Sequence, residues 1–230
     1  MRKDDKQRVG AVIAAAGRGE RMGEIDKLFA QLGGKPLLVR TTQPFQQCAL
    51  IDQIVVVVSG EREELCRRMV VGEGWSKVSD VCLGGRRRQD SVAAGLKHLR
   101  DCQWAVIHDG ARPFVTVDLI ERGLEAARET GAAVAAVPVK DTIKLAGDDR
   151  IVHQTPPRQN LWAIQTPQVF NIDIITEAYK KTNGDVTDDA SLVEQLGYKV
   201  KLYMGDYNNI KITTPEDLTL AEVLWQKHER

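Results

Sequence analysis

GAVIAAAGRGERMGEIDK, residues 10–27, joins a short apolar run to a loop rich in alanine, glycine and basic side chains. An apolar run of this length is typical of a strand that is buried on both faces of a parallel sheet. Small residues let a ligand approach the backbone closely, and Arg21 and Lys27 follow at a spacing where both can close over phosphates. The stretch therefore predicts a strand followed by a phosphate-binding loop.

Two well-known glycine loops do not fit this stretch. A dinucleotide fingerprint, GxGxxG, needs a third glycine where Met22 stands. A P-loop needs glycine before its lysine and serine or threonine after it, whereas Lys27 stands between Asp26 and Leu28. From this stretch alone, a surface turn with solvated charges remains the alternative to a phosphate site.

Apolar and amphipathic segments alternate along the first 140 residues. The predicted strands are 9–14, 53–59, 78–83, 104–108 and 132–137. The predicted helices are 36–48, 62–71, 91–99 and 117–129, the last capped by Thr116. This alternation predicts an α/β fold with a Rossmann-like, mostly parallel sheet flanked by helices. Ligands in such folds bind beyond the carboxyl ends of the strands, so the loops after Ala14, Leu83 and His108 are the candidates.

The alternation breaks at residues 139–155. Two segments of alternating polarity surround Gly147-Asp148-Asp149, which predicts a β-hairpin that projects from the body as an arm. We expect one domain over residues 1–230, with this arm as a dimerisation element. The remaining predicted elements are helices at 172–181 and 188–196, strands at 199–204 and 210–213, and a helix that Thr214-Pro215 opens.

The composition excludes several classes of protein. The formal net charge is zero, so neither nucleic acid nor an anionic membrane is an expected partner. The four cysteines lack the short spacing of a zinc site or redox dithiol, which favours reduced thiols and a cytoplasmic location. The first apolar run is too short for a signal peptide, and no segment approaches the roughly 20 apolar residues of a membrane span.

The second and third candidate loops carry polar side chains of their own. In GGRRRQDSVAAGL, residues 84–96, two glycines admit a flat ring against the main chain, and Ser91 can bond it. Alternatively, Asp90 or Ser91 only caps a helix and residues 86–88 form a solvated arginine run. In IHDGARPF, residues 107–114, Asp109 can reach Mg²⁺ or a ribose hydroxyl and Arg112 can hold an anion. A structural ion pair between those two residues is the alternative.

Seven motifs, in this order and spacing, resemble the 2-C-methyl-D-erythritol 4-phosphate cytidylyltransferases of non-mevalonate isoprenoid synthesis. They are AAAGRGERM followed by Lys27, GGRRRQDSV, HDGARPF, VKDTIK, LWAIQTPQVF, TDDAS and NIKITTPEDL. The resemblance implies CTP and methylerythritol phosphate as substrates, a divalent metal, usually Mg²⁺, and a homodimer joined through the projecting arm.

The resemblance also implies roles for single residues. Arg21 and Lys27 resemble transition-state stabilisers on the triphosphate, and Arg158 and Lys211 resemble the residues that position the attacking phosphate. The nucleotide-binding positions are Ala15, Ala16, Gly17, Gly85, Asp90 and Ser91, with Asp109 near ribose and metal. The acceptor-binding positions, several of them supplied across the dimer, are Arg112, Thr142, Arg158, Thr166 and Lys211.

The four histidines are scattered, and we expect His108 to lie in or against the core. The implied reaction explains why no histidine cluster is present. A phosphate monoester, with a second pKa of about 6, attacks as a dianion and needs no general base. The obstacle is repulsion between two polyanions, since unit charges about 4 Å apart interact by roughly 4 kcal/mol at an effective dielectric of about 20. Arginine, lysine and Mg²⁺ counter that repulsion.

Three other functions remain as alternatives. A ribitol 5-phosphate cytidylyltransferase, or one for another polyol phosphate, would share the nucleotide half. A short-chain dehydrogenase is suggested by Tyr207 and Lys211, which have the spacing of its catalytic pair. A non-enzymatic nucleotide-binding module would bind CTP without releasing pyrophosphate. We also expect the chain to lack a fused second enzyme.

Overall fold

A computed structural model describes residues 7–17, 28–181 and 184–228 of the chain. Arg21 and Lys27 lie outside these ranges. The strands are β1 (Val9–Ala14), β2 (Gln31–Leu32), β3 (Lys35–Pro36), β4 (Gln53–Val58), β5 (Val78–Leu83), β6 (Trp104–Asp109), β7 (Ala132–Pro138), β8 (Leu145–Ala146), β9 (Val152–Gln154), β10 (Trp162–Asn171) and β11 (Lys201–Met204). The helices are α1 (Leu37–Gln47), α2 (Glu63–Gly72), α3 (Arg88–His98), α4 (Val117–Thr130), α5 (Ile172–Lys181), α6 (Asp189–Gln195) and α7 (Pro215–His228).

Seven of these strands form one central sheet, in the order β11-β7-β10-β6-β1-β4-β5. All neighbouring pairs are parallel except the two that involve β10, which runs antiparallel to both β6 and β7. The predicted α/β class and mostly parallel sheet are therefore confirmed. Within the described part of the chain, no helix is long and apolar enough to cross a membrane.

Helices cover both faces of the sheet because β1, β4 and β6 are apolar on both faces and almost completely buried. On one face, side chains of α1 and α4, such as Phe45 and Ile120, pack on the sheet. On the other face, α3, α5 and α6 contribute Val92, Ile175 and Val193. This burial fixes where the strands end, and therefore where the loops that follow them meet.

Strand β10 is absent from the predicted elements, because polar residues interrupt its apolar pattern. Its pairing register shifts between Ile164 and Gln168, so that Gln165, Thr166 and Pro167 leave the regular ladder with β7. The strand nevertheless fills the gap between β6 and β7. The interruption brings Thr166 next to the carboxyl end of β6.

One predicted strand is absent and one predicted helix starts at a different residue. Residues 210–213 form no strand, because Ile210 N donates to Asn208 O within a turn and only Ile212 N donates to a neighbouring segment, at Ala111 O. Helix α3 begins at Arg88, three residues before the predicted start at Ser91. Arg88 therefore belongs to the first turn of a helix rather than to a solvated loop.

The predicted hairpin is present. Strands β8 and β9 pair antiparallel in a small sheet of their own, and Arg150 N donates to Gly147 O in the turn between them. Its side chains, including Leu145, Ile151 and Val152, are exposed. We call residues 139–155 the arm.

Candidate active site

The three candidate loops converge at one edge of the sheet. A Cβ atom built on Gly84 would lie 2.3 Å from Cβ of Ala16, and one on Gly110 would lie 2.8 Å from Cβ of Ala15. A side chain at either glycine would push the loops apart, so the sequence permits this contact only because it places glycine there. The predicted meeting of the loops after β1, β5 and β6 is confirmed.

A cavity of about 130 Å³ lies between these loops, and we call it the first cavity. Its lining residues are Ala14, Ala15, Ala16, Gly17, Leu28, Arg86, Arg87, Arg88, Ser91, Asp109, Ala111 and Lys211. The lining includes most of the predicted nucleotide-binding positions. Gly85 and Asp90 stand beside the cavity rather than in its lining.

Asp90 and Ser91 hold the loop at the start of α3. The Asp90 carboxylate accepts from Arg87 N at 3.2 Å and from its guanidinium, which holds the pKa of Asp90 below its usual value. Gly85 N donates to Ser91 Oγ at 3.2 Å, and that hydroxyl donates to Arg87 O at 3.1 Å. Asp90 therefore does cap α3, as the alternative expected, while contact of Asp90 or Ser91 with a nucleotide stays a prediction.

Asp109, the last residue of β6, collects three cations. Its Oδ1 lies 2.8 Å from Arg88 Nε, and its Oδ2 lies 2.8 Å from Lys211 Nζ and 3.7 Å from Arg112 Nε. Burial opposes ionisation of this carboxyl, but the charges of the three cations outweigh burial and hold its pKa below the usual range. We call these four residues the Asp109 cluster. The predicted Asp109–Arg112 ion pair thus exists as part of a larger, net positive group.

The sequence did not reveal the second anchor of Arg88. Arg88 Nη1 lies 2.8 Å from Oδ2 of Asp189, which is fully buried at the start of α6, and the Tyr179 hydroxyl donates to Asp189 Oδ1 at 2.5 Å. Burial raises the pKa of Asp189, and the nearby guanidinium only partly opposes that rise. A buried acid needs a cationic partner, so the second acid of the TDDAS motif was the signal that sequence reasoning missed.

The interpretation of residues 86–88 as a solvated run is wrong for Arg88 alone, because Arg86 and Arg87 are exposed. Arg88 is three-quarters buried between two carboxylates. Arg87 pairs with Asp90 at 2.6 Å and with Asp185 at 2.7 Å. Arg86 is exposed at the rim of the first cavity. Helix geometry separates the three side chains, which a sequence run cannot show.

Arg112 and Lys211 are brought together by the segment before α7. Arg112 Nη1 donates to Asn209 O at 2.7 Å, and Asn209 Nδ2 donates to Thr166 O at 2.8 Å. These bonds fix residues 209–211 against the end of β6. Lys211 keeps 37% of its side chain exposed, so a bound anion can still reach it.

His108 and Thr166 support the backbone of this site. His108 Nε2 lies 3.1 Å from Arg112 O, and Nδ1 lies 2.9 Å from Thr166 Oγ1. Because a carbonyl only accepts, Nε2 carries the proton, and the Thr166 hydroxyl donates to Nδ1 while it accepts from Asp109 N at 3.1 Å. Burial lowers the pKa of His108 to about 4. The predicted core position of His108 is confirmed, and the imidazole is neutral at pH 7.

A second cavity, of about 370 Å³, adjoins the first. Predicted acceptor-binding residues Arg112, Thr166 and Lys211 line it. The two cavities share the lining residues Arg88, Asp109 and Lys211. The Asp109 cluster is therefore the boundary between two neighbouring spaces.

The structure does not bring Thr142 and Arg158 to this site. Thr142 is exposed on the arm. Arg158 is exposed just beyond the arm, and its Nη1 donates to Lys140 O at 2.7 Å. Neither residue lines either cavity of this chain.

The donor set restricts how a metal ion could bind. Within residues 7–17, 28–181 and 184–228, no group of three or more Asp, Glu, His or Cys side chains is arranged to hold a metal. Asp109 offers one carboxylate at the junction of the cavities. Mg²⁺ keeps several waters and binds through one or two carboxylates plus substrate phosphates, so this donor set fits a Mg²⁺ ion held mainly by phosphate oxygens.

Comparisons with known proteins identify the family of the chain. A family model described as 2-C-methyl-D-erythritol 4-phosphate cytidylyltransferase, IspD, matches residues 9–227. A protein of that name from Dehalococcoides mccartyi is 52% identical over 221 residues, which cover 96% of this chain and 97% of the relative. One from Alkaliphilus oremlandii is 47% identical and covers 94% of each chain.

A solved structure has the same fold. The crystal structure of 4-diphosphocytidyl-2C-methyl-D-erythritol synthase from Anaerococcus prevotii DSM 20548 matches with a TM-score of 0.87 at 34% identity, over 96% of this chain and 97% of that one. Fold and sequence identity agree over nearly the whole length. The chain belongs to the 2-C-methyl-D-erythritol 4-phosphate cytidylyltransferase (IspD) family.

Proposed function

We propose that this chain transfers CMP from CTP to 2-C-methyl-D-erythritol 4-phosphate, giving 4-diphosphocytidyl-2-C-methyl-D-erythritol and pyrophosphate for isoprenoid precursor synthesis. The observation that carries the proposal is the Asp109 cluster. It gathers three cations around one carboxylate, where two cavities meet at the sheet edge of an IspD family member. Such a group favours the meeting of two polyanions.

The nucleotide occupies the first cavity in this proposal. Ala15, Ala16 and Gly17 line this cavity and have little or no side chain, so a ligand can approach their backbone closely. Gly85, Asp90 and Ser91 shape the adjoining wall. Arg21 and Lys27, which lie outside the described residues, would close over the triphosphate and stabilise the charge of the transition state.

The acceptor occupies the second cavity, with its phosphate next to Lys211 and Arg112. Both cations lie near Asp109, and Lys211 is the more exposed of the two. Thr166 lines the same cavity, and its backbone and hydroxyl are fixed by Asn209 and His108. We therefore assign Lys211 the role of positioning the attacking phosphate.

The reaction needs no protein nucleophile and no general base. An oxygen of the acceptor phosphate, already a dianion at neutral pH, forms a bond to the α-phosphorus of CTP. The bond from that phosphorus to the oxygen bridging to the β-phosphate breaks, and the electron pair leaves with pyrophosphate. The neutral His108, buried under the site, takes no part in proton transfer.

We propose Mg²⁺ as the metal, with Asp109 as its protein ligand near the ribose. When bound, Mg²⁺ would neutralise phosphate charge and stabilise the departing pyrophosphate. Asp109 would then exchange part of its contact with the surrounding cations for the metal. The carboxylate is ionised at neutral pH, which is the form that binds a cation.

We further propose a homodimer joined by the arm. Leu145, Ile151 and Val152 are about half exposed or more, as expected for apolar side chains that a second copy covers. The partner's arm would supply Thr142, and the segment just beyond that arm would supply Arg158, to each acceptor cavity. The four cysteines are free and buried, which supports a reducing, cytoplasmic location.

Pyrophosphate release from CTP tests the function. The purified chain with Mg²⁺ and CTP should release pyrophosphate with methylerythritol phosphate, much more slowly with ribitol 5-phosphate, and not without an acceptor. Faster release with ribitol 5-phosphate would overturn the acceptor assignment. Binding of CTP with no release from either acceptor would identify a binding module instead of an enzyme.

A further inference from the structure

Arg88 lies in the site, but neither the sequence motifs nor the reaction chemistry assigned a role to it. Its guanidinium spans two carboxylates, with Nε 2.8 Å from Asp109 Oδ1 and Nη1 2.8 Å from Asp189 Oδ2. The Asp109 side chain is 8% exposed and the Asp189 side chain is fully buried. Arg88 lines both cavities, whereas Asp189 lines neither.

The bridge leaves Asp109 little freedom to rotate. Oδ1 is engaged by Arg88, which leaves Oδ2 turned toward Lys211 at 2.8 Å. Arg88 Nε donates a hydrogen bond to Asp109 Oδ1, whereas Nη1 forms an ion pair with Asp189 Oδ2 that lacks hydrogen-bond geometry. A planar guanidinium can contact two carboxylates at once in this way, whereas a lysine ammonium acts as a single point charge. The orientation of Asp109 therefore depends on an arginine that is itself held in place.

Arg88 is held from two directions. Tyr179 donates to the far oxygen of Asp189, so that carboxylate cannot turn away from the guanidinium. Next to Arg88, the Gln89 amide donates to Gly184 O at 2.8 Å and accepts from Val186 N at 3.1 Å. The first turn of α3 is thus bound to the segment that leads into α6.

We propose that Arg88 is a positioning residue for the transfer reaction, which holds Asp109 oriented toward Lys211 by bridging it to Asp189. This inference rests on the proposed function, because its effect is measured on that reaction. Tyr179, Asp189 and Arg88 form a chain of contacts that begins in the core and ends at the junction of the cavities. The charge of Asp189 serves to fix Arg88 and never meets a substrate.

Two substitutions separate positioning from general stability. Arg88→Lys keeps the charge but cannot bridge both carboxylates, and we expect kcat to fall about 10²-fold. Asp189→Asn keeps the shape and lies outside both cavities, and we expect kcat to fall on the order of tenfold. Because both act through one contact, the double variant should lose less than the product of the single losses.

The matched control is Arg67→Lys. Arg67 also spans two carboxylates, with Nη2 2.9 Å from Glu63 and 3.6 Å from Asp80, but it lies away from both cavities. We expect its kcat and acceptor KM to stay within about twofold of the original values, since surface ion pairs contribute little. All variants are assayed well below their unfolding midpoints, so that a loss of folded protein is not counted as a loss of kcat.

The outcomes are distinct. Positioning is supported if folded Arg88→Lys and Asp189→Asn both lose kcat and the double variant loses less than the product of the two single losses. Folded variants with kcat and acceptor KM within twofold of the original, or with losses that multiply fully, overturn it. If Arg88→Lys does not fold, Asp189→Asn decides alone. An unsubstituted chain that releases no pyrophosphate contradicts the proposed function rather than this inference.

Discussion

The Asp109 cluster and the arm are held in opposite ways. Each member of the cluster has at least one ion pair, and the cluster stands at the end of a completely buried strand. The arm is a two-stranded sheet whose side chains, such as Ile151 and Val152, are exposed. The core of a single chain therefore builds the cluster, whereas nothing within the described residues covers the arm.

This difference divides the predicted acceptor site in two. Arg112, Thr166 and Lys211 line a cavity of this chain, but Thr142 and Arg158 do not. The Asp109 cluster has a net positive charge and can bind an anion. Thr142, on the arm, and Arg158, just beyond it, line neither cavity. The proposed acceptor site, with Thr142 and Arg158 included, therefore needs a second copy of the chain.

The largest expected effect is at the cluster. Lys211→Ala removes the exposed cation next to Asp109, and we expect kcat/KM to fall about 10²- to 10³-fold, the loss that follows removal of one preorganised charge-stabilising group. Steady-state pyrophosphate release measures it. Lys181→Ala, which breaks an exposed ion pair with Glu177 on α5, is the control and should be nearly neutral. Equal activity of the two variants would remove Lys211 from the mechanism.

Mixed dimers test the arm. Arg158→Ala and Lys211→Ala chains should each be inactive alone, but a refolded equimolar mixture should regain about a quarter of the original activity. Half of the dimers are then mixed, and in each of these one site has both defects and the other has none. The measurement is pyrophosphate release before and after mixing. No regained activity would show that Arg158 acts within its own chain.

A smaller effect concerns pH and stability. The pKa of buried His108 is lowered to about 4, so the unfolded chain takes up this proton first as the pH falls. Above about pH 6.5, His108 should not affect the free energy of unfolding. Between about pH 6.5 and 4, the free energy of unfolding should fall by about 3 kcal/mol. Urea unfolding across this range measures the slope.

Two histidine variants test whether His108 causes this change of the free energy of unfolding with pH. His108→Gln should remove the His108 part of the slope, because glutamine does not titrate. His153→Gln, on the exposed arm, should leave the slope unchanged. If both variants keep the full slope, the buried imidazole is not its source.

The smallest expected effect lies away from both regions. Thr116 Oγ1 accepts from Leu119 N at 3.1 Å and caps α4. Thr116→Ala should lower the free energy of unfolding by about 1 kcal/mol, and Thr116→Ser should largely restore it. Urea unfolding measures the free energy of unfolding of each variant, and pyrophosphate release measures its kcat. A parallel fall of kcat in Thr116→Ala would mean that losses at the cluster also report stability rather than chemistry.

Local sequence signals predicted most of the fold. Strands β1, β4 and β6 are apolar except at Gln53, His108 and Asp109, and the Thr116 cap marks the start of α4. Neither the strands nor the cap needed tertiary information. Strand β10 was missed because Gln165, Thr166 and Pro167 interrupt its apolar pattern. Its antiparallel place between β6 and β7 depends on contacts between distant parts of the chain.

The candidate site was predictable only where a motif is continuous. The loops after β1, β5 and β6 meet as expected, because parallel strands end at a common edge. The contact of Arg88 with Asp189 joins residues of two separate motifs, and which of three consecutive arginines turns inward depends on where α3 begins. Roles of single residues toward CTP and the acceptor stay predictions.

A crystal structure of the chain with Mg²⁺, a non-hydrolysable CTP analogue and methylerythritol phosphate would test the central claim most directly. We predict the triphosphate in the first cavity and the acceptor phosphate within about 3 Å of Lys211, next to Arg112. An acceptor phosphate bound away from the Asp109 cluster, with the nucleotide in the first cavity, would contradict the claim that this cluster brings the two anions together.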